Sequence, residues 1–182
     1  GRAVPGQLLE TYQIARTQRV DICQETGLCV VFLEIGKDVH IEGGDLTEAI
    51  NEGVRMAYTG GYLRKSVVRD PLYDRTNTQD NTPAVIHTRI VPGEKVSILV
   101  TPKGFGSENM SAVKMLVPAD GEAGIVKFIV DTVVNAGPNP CPPVIVGVGI
   151  GGTMEIAALN AKRMTARPLD QADPDPRYAA LE

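Results

Sequence analysis

The apolar positions along the chain alternate between two periods, and the switches between them outline the elements. Over residues 7–19, Leu8, Leu9, Tyr12 and Ala15 recur at helical spacing and predict an amphipathic helix. Residues 28–35, Leu-Cys-Val-Val-Phe-Leu-Glu-Ile, form a nearly continuous β-favouring apolar run and predict a buried strand. Asp45, with Glu48 three residues on, marks the start of a helix that runs to about Thr59, where Gly60 and Gly61 end it. Residues 84–91 and 95–100 alternate apolar and polar in part; Pro92-Gly93-Glu94 joins them, and together they predict a β-hairpin. Residues 122–136 carry Ile125, Phe128, Ile129 and Val133 on one helical face, with Gly137 just past the end. The apolar run 144–150 predicts a central strand, and Gly151-Gly152 leads into a helix from about Thr153 to Arg167. Asp175-Pro176 is an N-cap followed by proline at the first helical position, but only about two turns follow, which is marginal for a helix. The natural polypeptide is therefore expected to continue past Glu182. The elements add up to a mixed α/β (α+β) fold, with a mixed β-sheet containing a β-hairpin, flanked by helices, in a single domain over residues 1–182.

Composition narrows the function classes. A net charge of -4 without any Lys/Arg run argues against nucleic acid as a partner. No apolar run approaches the roughly 20 residues needed to cross a bilayer, and no signal peptide is visible at the start. Three cysteines are too few, and odd in number, for a disulfide scaffold, so a reducing cytosolic or organelle-matrix setting is expected. With aromatics at 4% and no Trp, the core must be mostly aliphatic.

The candidate chemistry lies in the breaks between elements. Cys141 stands in Asn139-Pro140-Cys141-Pro142-Pro143, where the prolines stiffen the backbone and aim its side chain in advance. From that stretch alone, a metal ligand and a core thiol are level readings. Cys23 lies on a loop between a helix and a strand; Cys29 lies inside the strand and reads as core. Thiolates are soft ligands for iron–sulfur clusters or zinc, but two cysteines are too few for a fully Cys-ligated cluster. Gly147-Val148-Gly149-Ile150-Gly151-Gly152 fits G-x-G-x-x-G. It admits a dinucleotide site, an anion site at the following helix start, or close strand-to-helix packing that needs glycine; the anion site is preferred to the dinucleotide one. Lys103-Gly104-Phe105-Gly106-Ser107 is a possible anion-binding nest or a plain turn. Arg64 and Lys65 could meet an anionic substrate, though a solvated face is the commoner role. His40 and His87 form no ligand spacing.

Five stretches in order resemble one family. They are Ile22-Cys-Gln-Glu-Thr-Gly27, Leu63-Arg-Lys-Ser-Val-Val-Arg-Asp-Pro-Leu72, Asn77-Thr-Gln-Asp-Asn-Thr-Pro-Ala-Val-Ile-His87, Lys103-Gly-Phe-Gly-Ser-Glu-Asn-Met-Ser111, and Asn139-Pro-Cys-Pro-Pro143 with Gly147-Val-Gly-Ile-Gly-Gly-Thr153. Together they are similar to class I fumarate hydratases, and more closely to the α subunit of the two-subunit form shared with L-tartrate dehydratase. The resemblance implies a hydro-lyase that hydrates fumarate reversibly to malate, or dehydrates a related hydroxydicarboxylate such as tartrate. It implies a 4Fe-4S cluster held by three cysteines, with one iron open to substrate. Cys23 and Cys141 match two ligands; the third lies past Glu182 in the family. Gln24 matches a substrate contact, Glu25 stands where the family has a catalytic, substrate-touching Asp, Arg64 matches a carboxylate-binding arginine, and Gly106 matches a backbone contact. A β subunit would supply the base for the C3 proton, and the implied assembly is a cytoplasmic homodimer of such pairs. Beside Glu25, Gln79 and Phe105 also depart from the family, each replacing a glycine. Two rivals remain: a nucleotide-binding module built on Gly147–Gly152, and a non-catalytic subunit that keeps the fold.

Overall fold

The computed structural model describes residues 3–182, which group into two compact units. Among the described residues, the first unit runs to Met110 and includes Asn139–Cys141; the second takes 111–138 and 142–182.

In the first unit, helix α1 (Ala3–Gln18) precedes the loop that carries Cys23, and strand β1 (Leu28–Gly36) follows it. Every residue from Leu28 to Leu33 is buried, so β1 is covered on both faces, as its unbroken apolar run requires. A strand of that kind needs a neighbour on each side. It has β2 (Val85–Val91), parallel, and β3 (Val96–Lys103), antiparallel, in the order β2-β1-β3. The sheet is mixed, as expected, but the expected hairpin is not formed. The two alternating segments do not pair with each other, because β1 lies between them. Their short link instead arches over the end of β1: Gly36 N–H donates to Lys95 O at 2.8 Å and Asp38 N–H donates to Gly93 O at 3.1 Å. The approach is so close that a Cβ on Gly36 would come within 2.3 Å of Gly93 O, so only glycine fits.

Helix α2 (Leu46–Gly60) provides the crossover between the parallel strands. Asp45 caps it, accepting from Glu48 N–H at 2.9 Å, as the sequence predicts. Val54 and Tyr58 of α2 meet Cys29 and Val31 of β1 in the core, with Ile50, Leu63, Ala84 and Ile86 packed around them. Cys29 is thus a core residue, and burial pushes its thiol pKa up. His87, on β2, stacks on Phe32, with ring centroids 5.4 Å apart.

In the second unit, α4 (Gly121–Ala136) is followed after a break by α5 (Met154–Met164) and α6 (Pro176–Leu181). Helix α3 (Phe105–Glu108) is a single turn and belongs to the first unit. The run 144–150, expected to be a central strand, joins no sheet among the described residues. It lies against α5, half-exposed: a Cβ on Gly147 would fall 2.1 Å from Ala161 O, and one on Gly149 2.0 Å from Ala157 O. These two glycines let a backbone rest on a helix, which is the packing reading of the G-x-G-x-x-G stretch. Among the described residues, no helix is long and apolar enough to cross a membrane.

Candidate active site

The loop between α1 and β1 gathers its chemistry through backbone geometry. Glu25 N–H points at Cys23 Sγ, 3.4 Å away, so the chain folds back on the thiol within two residues. Cys141 joins the same unit on the tripeptide Asn139–Cys141. Its φ is +60°, a left-handed conformation that ordinary residues rarely hold. Both thiols are exposed, and each lies within electrostatic reach of the other. The pKa of the Cys141 thiol is pushed up, first by the charge of Cys23, then by burial and by Glu25. The sequence leaves Cys141 undecided between core and ligand; the structure brings it to the surface beside Cys23, 118 positions away (141 − 23).

Arg64 reaches the same loop. Its Nη1 donates to Gln24 Oε1 at 3.2 Å, and its backbone N–H donates to the buried Thr26 Oγ1 at 2.9 Å. An open groove of ≈ 570 Å³ runs past Cys23, Gln24, Tyr62 and Arg64. A guanidinium on the wall of an open groove, with its plane held by an amide, suits a carboxylate ligand. Tyr58 anchors the loop from below: its hydroxyl is shared between Thr26 O at 2.6 Å and Leu28 O at 3.0 Å.

Glu25 turns the other way, into the Gly104–Ser107 turn. Its Oε2 accepts both the N–H and the hydroxyl of Ser107, at 3.1 and 3.0 Å. A Cβ on Gly104 would lie 1.8 Å from Oε2, and one on Gly106 3.1 Å from Oε1 and 3.0 Å from Asn139 O. The nest that sequence spacing marks as anion-binding is therefore filled by the chain's own carboxylate. Phe105 sets its ring against Gly27, just before β1, where a Cβ would lie 3.3 Å from the ring. Gln79 holds φ +69°, which explains why glycine suits that position, and its N–H donates to Asn77 Oδ1 at 2.8 Å.

Cys23, Gln24, Glu25, Arg64, Gly106 and Cys141 are thus brought into one unit and linked through the 22–27 loop. Lys103 and Ser107, expected only as parts of an anion-binding nest or a plain turn, support them, as do Thr26, Tyr58 and Asn81, for which the sequence suggests no role. The available signal was Ser107 directly after Gly106 in a strand–glycine–turn context. As a metal site, the thiol pair offers two soft donors from one face. Among the described residues, no group of three Cys, His, Asp or Glu side chains could close around a metal ion. The pair fits part of a three-cysteine site, with a further donor required.

Comparison with known proteins adds the family. The family profile described as Fumarate hydratase (Fumerase) matches residues 1–182. A provisional L(+)-tartrate dehydratase subunit alpha of Methanocaldococcus jannaschii is 41% identical over 179 residues, covering 96% of this chain and 63% of that protein. L(+)-tartrate dehydratase subunit alpha of Escherichia coli (strain K12) is 30% identical over 186 residues, covering 100% of this chain and 60% of its own length; the Shigella sonnei protein of the same name shows the same figures. The chain spans about 60% of the length of these curated relatives. With its ordered motifs matched along the whole chain, the protein belongs to the class I fumarate hydratase family.

Proposed function

We propose that this chain is the cluster-binding α part of a hydro-lyase acting on a four-carbon dicarboxylate, fumarate or L-tartrate, together with a β-type partner. The observation that carries the reading is the meeting of two exposed thiols, Cys23 and Cys141, beside Glu25 and a Gln24-held Arg64. Cys23 and Cys141 would hold a 4Fe-4S cluster, and a third cysteine from outside this chain would complete the set. When bound, the cluster supplies Lewis acidity toward a hydroxyl and a carboxylate.

The chain's own residues do the rest. Arg64 binds one substrate carboxylate, and Gln24 fixes the guanidinium. Gly106 offers its backbone to substrate, and its lack of a side chain lets Glu25 and Asn139 O pack close beside it. Glu25 handles the hydroxyl proton as a general acid–base group, with Oε2 tied and Oε1 turned toward Gly106. Removal of the C3 proton falls to the β-type partner. The assembly is proposed to be a dimer of such pairs in the cytoplasm.

Anaerobic reconstitution of the full-length α and β pair tests the reading. Visible thiolate-to-iron charge-transfer absorbance is expected, together with turnover of fumarate, malate or L-tartrate. Cys141→Ala should abolish the absorbance, and Cys29→Ala should keep it. Absence of the absorbance in the unmutated pair defeats the cluster assignment. Full absorbance without turnover establishes the non-catalytic reading instead, which the Glu25, Gln79 and Phe105 departures favour.

A further inference from the structure

We propose that Ser107 is a positioning residue that orients Glu25 for proton transfer, with Lys103 fixing the direction of the serine hydroxyl. The inference rests on the hydro-lyase reading above. Its basis is a directed chain of hydrogen bonds. Lys103 Nζ donates to Ser107 Oγ and, at 3.0 Å, to Gly104 O. An ammonium carries only donors, so it occupies a lone pair of the serine oxygen and leaves the hydroxyl proton to be given away. Two acceptors lie in reach, Glu25 Oε2 at 3.0 Å and Gly104 O at 3.2 Å. The carboxylate is the nearer and the charged one, and it takes the stronger bond. Ser107 N–H adds a second bond to the same oxygen.

Both Ser107 contacts fall on Oε2. The carboxylate is held by one oxygen, and the other, Oε1, lies beside Gly106. The cradle is shaped for that arm, because any side chain at Gly104 would occupy the space of Oε2. Lys103 is itself well placed for the task. Its side chain is only 16% exposed and lies 3.6 Å from Glu108 Oε2, so its charge is matched and its head is held in place. A carboxylate free to rotate about its last torsion would present Oε1 to substrate only part of the time. A misplacement on that scale slows the chemical step more than it weakens binding.

The test uses the reconstituted α and β pair with Ser107→Ala and Ser107→Thr. Ser107→Ala should lower kcat by about tenfold or more while KM stays within about twofold, and Ser107→Thr should restore most of the rate. Infrared difference spectra, wild type against Glu25→Gln, isolate the Glu25 carboxylate band. That band should move in Ser107→Ala and return in Ser107→Thr. An unmoved band in Ser107→Ala, a loss that falls on KM, or failure of threonine to restore both band and rate overturns the proposal. A wild-type pair that carries the cluster yet turns over none of the dicarboxylates removes the hydro-lyase reading instead, and the infrared comparison then decides the clamp by itself.

Discussion

Asn81 shows how much a single buried polar residue can organise. It is fully buried with φ +62°, and its Oδ1 accepts Ser66 N–H at 2.8 Å and Val67 N–H at 3.0 Å. Those two amides belong to the segment that follows Arg64, where Ser66 N–H also reaches Gly27 O at 3.3 Å and residues 67–69 pair with 76–78 through Thr78 N–H to Val67 O and Arg69 N–H to Thr76 O, both at 3.0 Å. The side-chain amide adds two acceptor bonds to that short pairing and helps the segment hold its course. Tyr58 works in the same way on the loop side, and burial pushes its phenol pKa up, so it stays a neutral donor. Asn81→Gly keeps the left-handed backbone without strain and removes the acceptor. It should cost about 1–2 kcal/mol in urea unfolding, since both amides are half-buried and Ser66 N–H keeps Gly27 O. Asn77→Ala, at a half-buried position that donates to Lys65 O and accepts from Gln79 N–H, both bonds lying at the exposed surface, should cost less. Equal losses in the two variants would show that Asn81 is an ordinary loop residue.

At the scale of elements, α2 is the scaffold from which the site segments hang. Arg55 Nε donates to Asp80 Oδ2 at 2.9 Å, and Asn51 Oδ1 accepts Ala84 N–H at 2.9 Å, so one helix face holds the chain on both sides of Asn81. Asp80 is the electrostatic part of that hold. Its pKa is lowered from 3.8 to about 2, chiefly by Thr82 N–H, then by the Thr82 hydroxyl and Arg55. A carboxyl depressed in the folded state stabilises it fully above the unfolded pKa, near 3.8. That stabilisation is lost as pH falls toward about 2. Thermal unfolding followed downward from neutral pH should therefore show an acid limb that Asp80→Asn flattens, at the expense of lower stability at neutral pH. An acid limb unchanged in Asp80→Asn would assign it to other carboxylates. The same elements show what a sequence can reveal. Helix α2 was legible because its cap and its apolar face are both local, and β1 was legible because six successive buried positions leave an apolar run. Strand order was not legible: alternation marks Val85–Val91 and Val96–Lys103 as strands, yet which neighbour each takes is settled by the need of β1 for two partners. The run 144–150 misled for the same reason, since strand-like composition does not supply a strand to pair with. The Ser107–Glu25 contact joins residues 82 positions apart, so no local pattern could announce it.

At the scale of the whole molecule, the candidate site lies within the first unit but draws on the chain unevenly. Cys23, Gln24, Glu25, Arg64 and Gly106 all come from the continuous first stretch, while Cys141 arrives on three residues whose flanking segments belong to the other unit. Asn139 Nδ2 lies 3.6 Å from Met110 Sδ, Asn139 O sits beside Gly106, and Cys141 holds a left-handed backbone that costs on the order of 1–2 kcal/mol outside glycine. By contrast, β1 is paired along both edges and buried on both faces, and needs nothing from the site to stay folded. A ligand that binds only the folded arrangement stabilises most what was least secured without it. Loading the reconstituted pair with iron and sulfide should therefore slow hydrogen exchange at the amides of residues 22–25 and at Asn139 and Cys141. Exchange in β1 should change little. Mass spectrometry of peptides from the loaded and chelator-stripped pair reads this directly. A uniform slowing across all peptides would mean that loading acts on global stability, and no change at 139–141 would mean that Cys141 is not a ligand. The local pattern follows only if the two thiols, brought together from distant parts of the chain, are what the cluster holds.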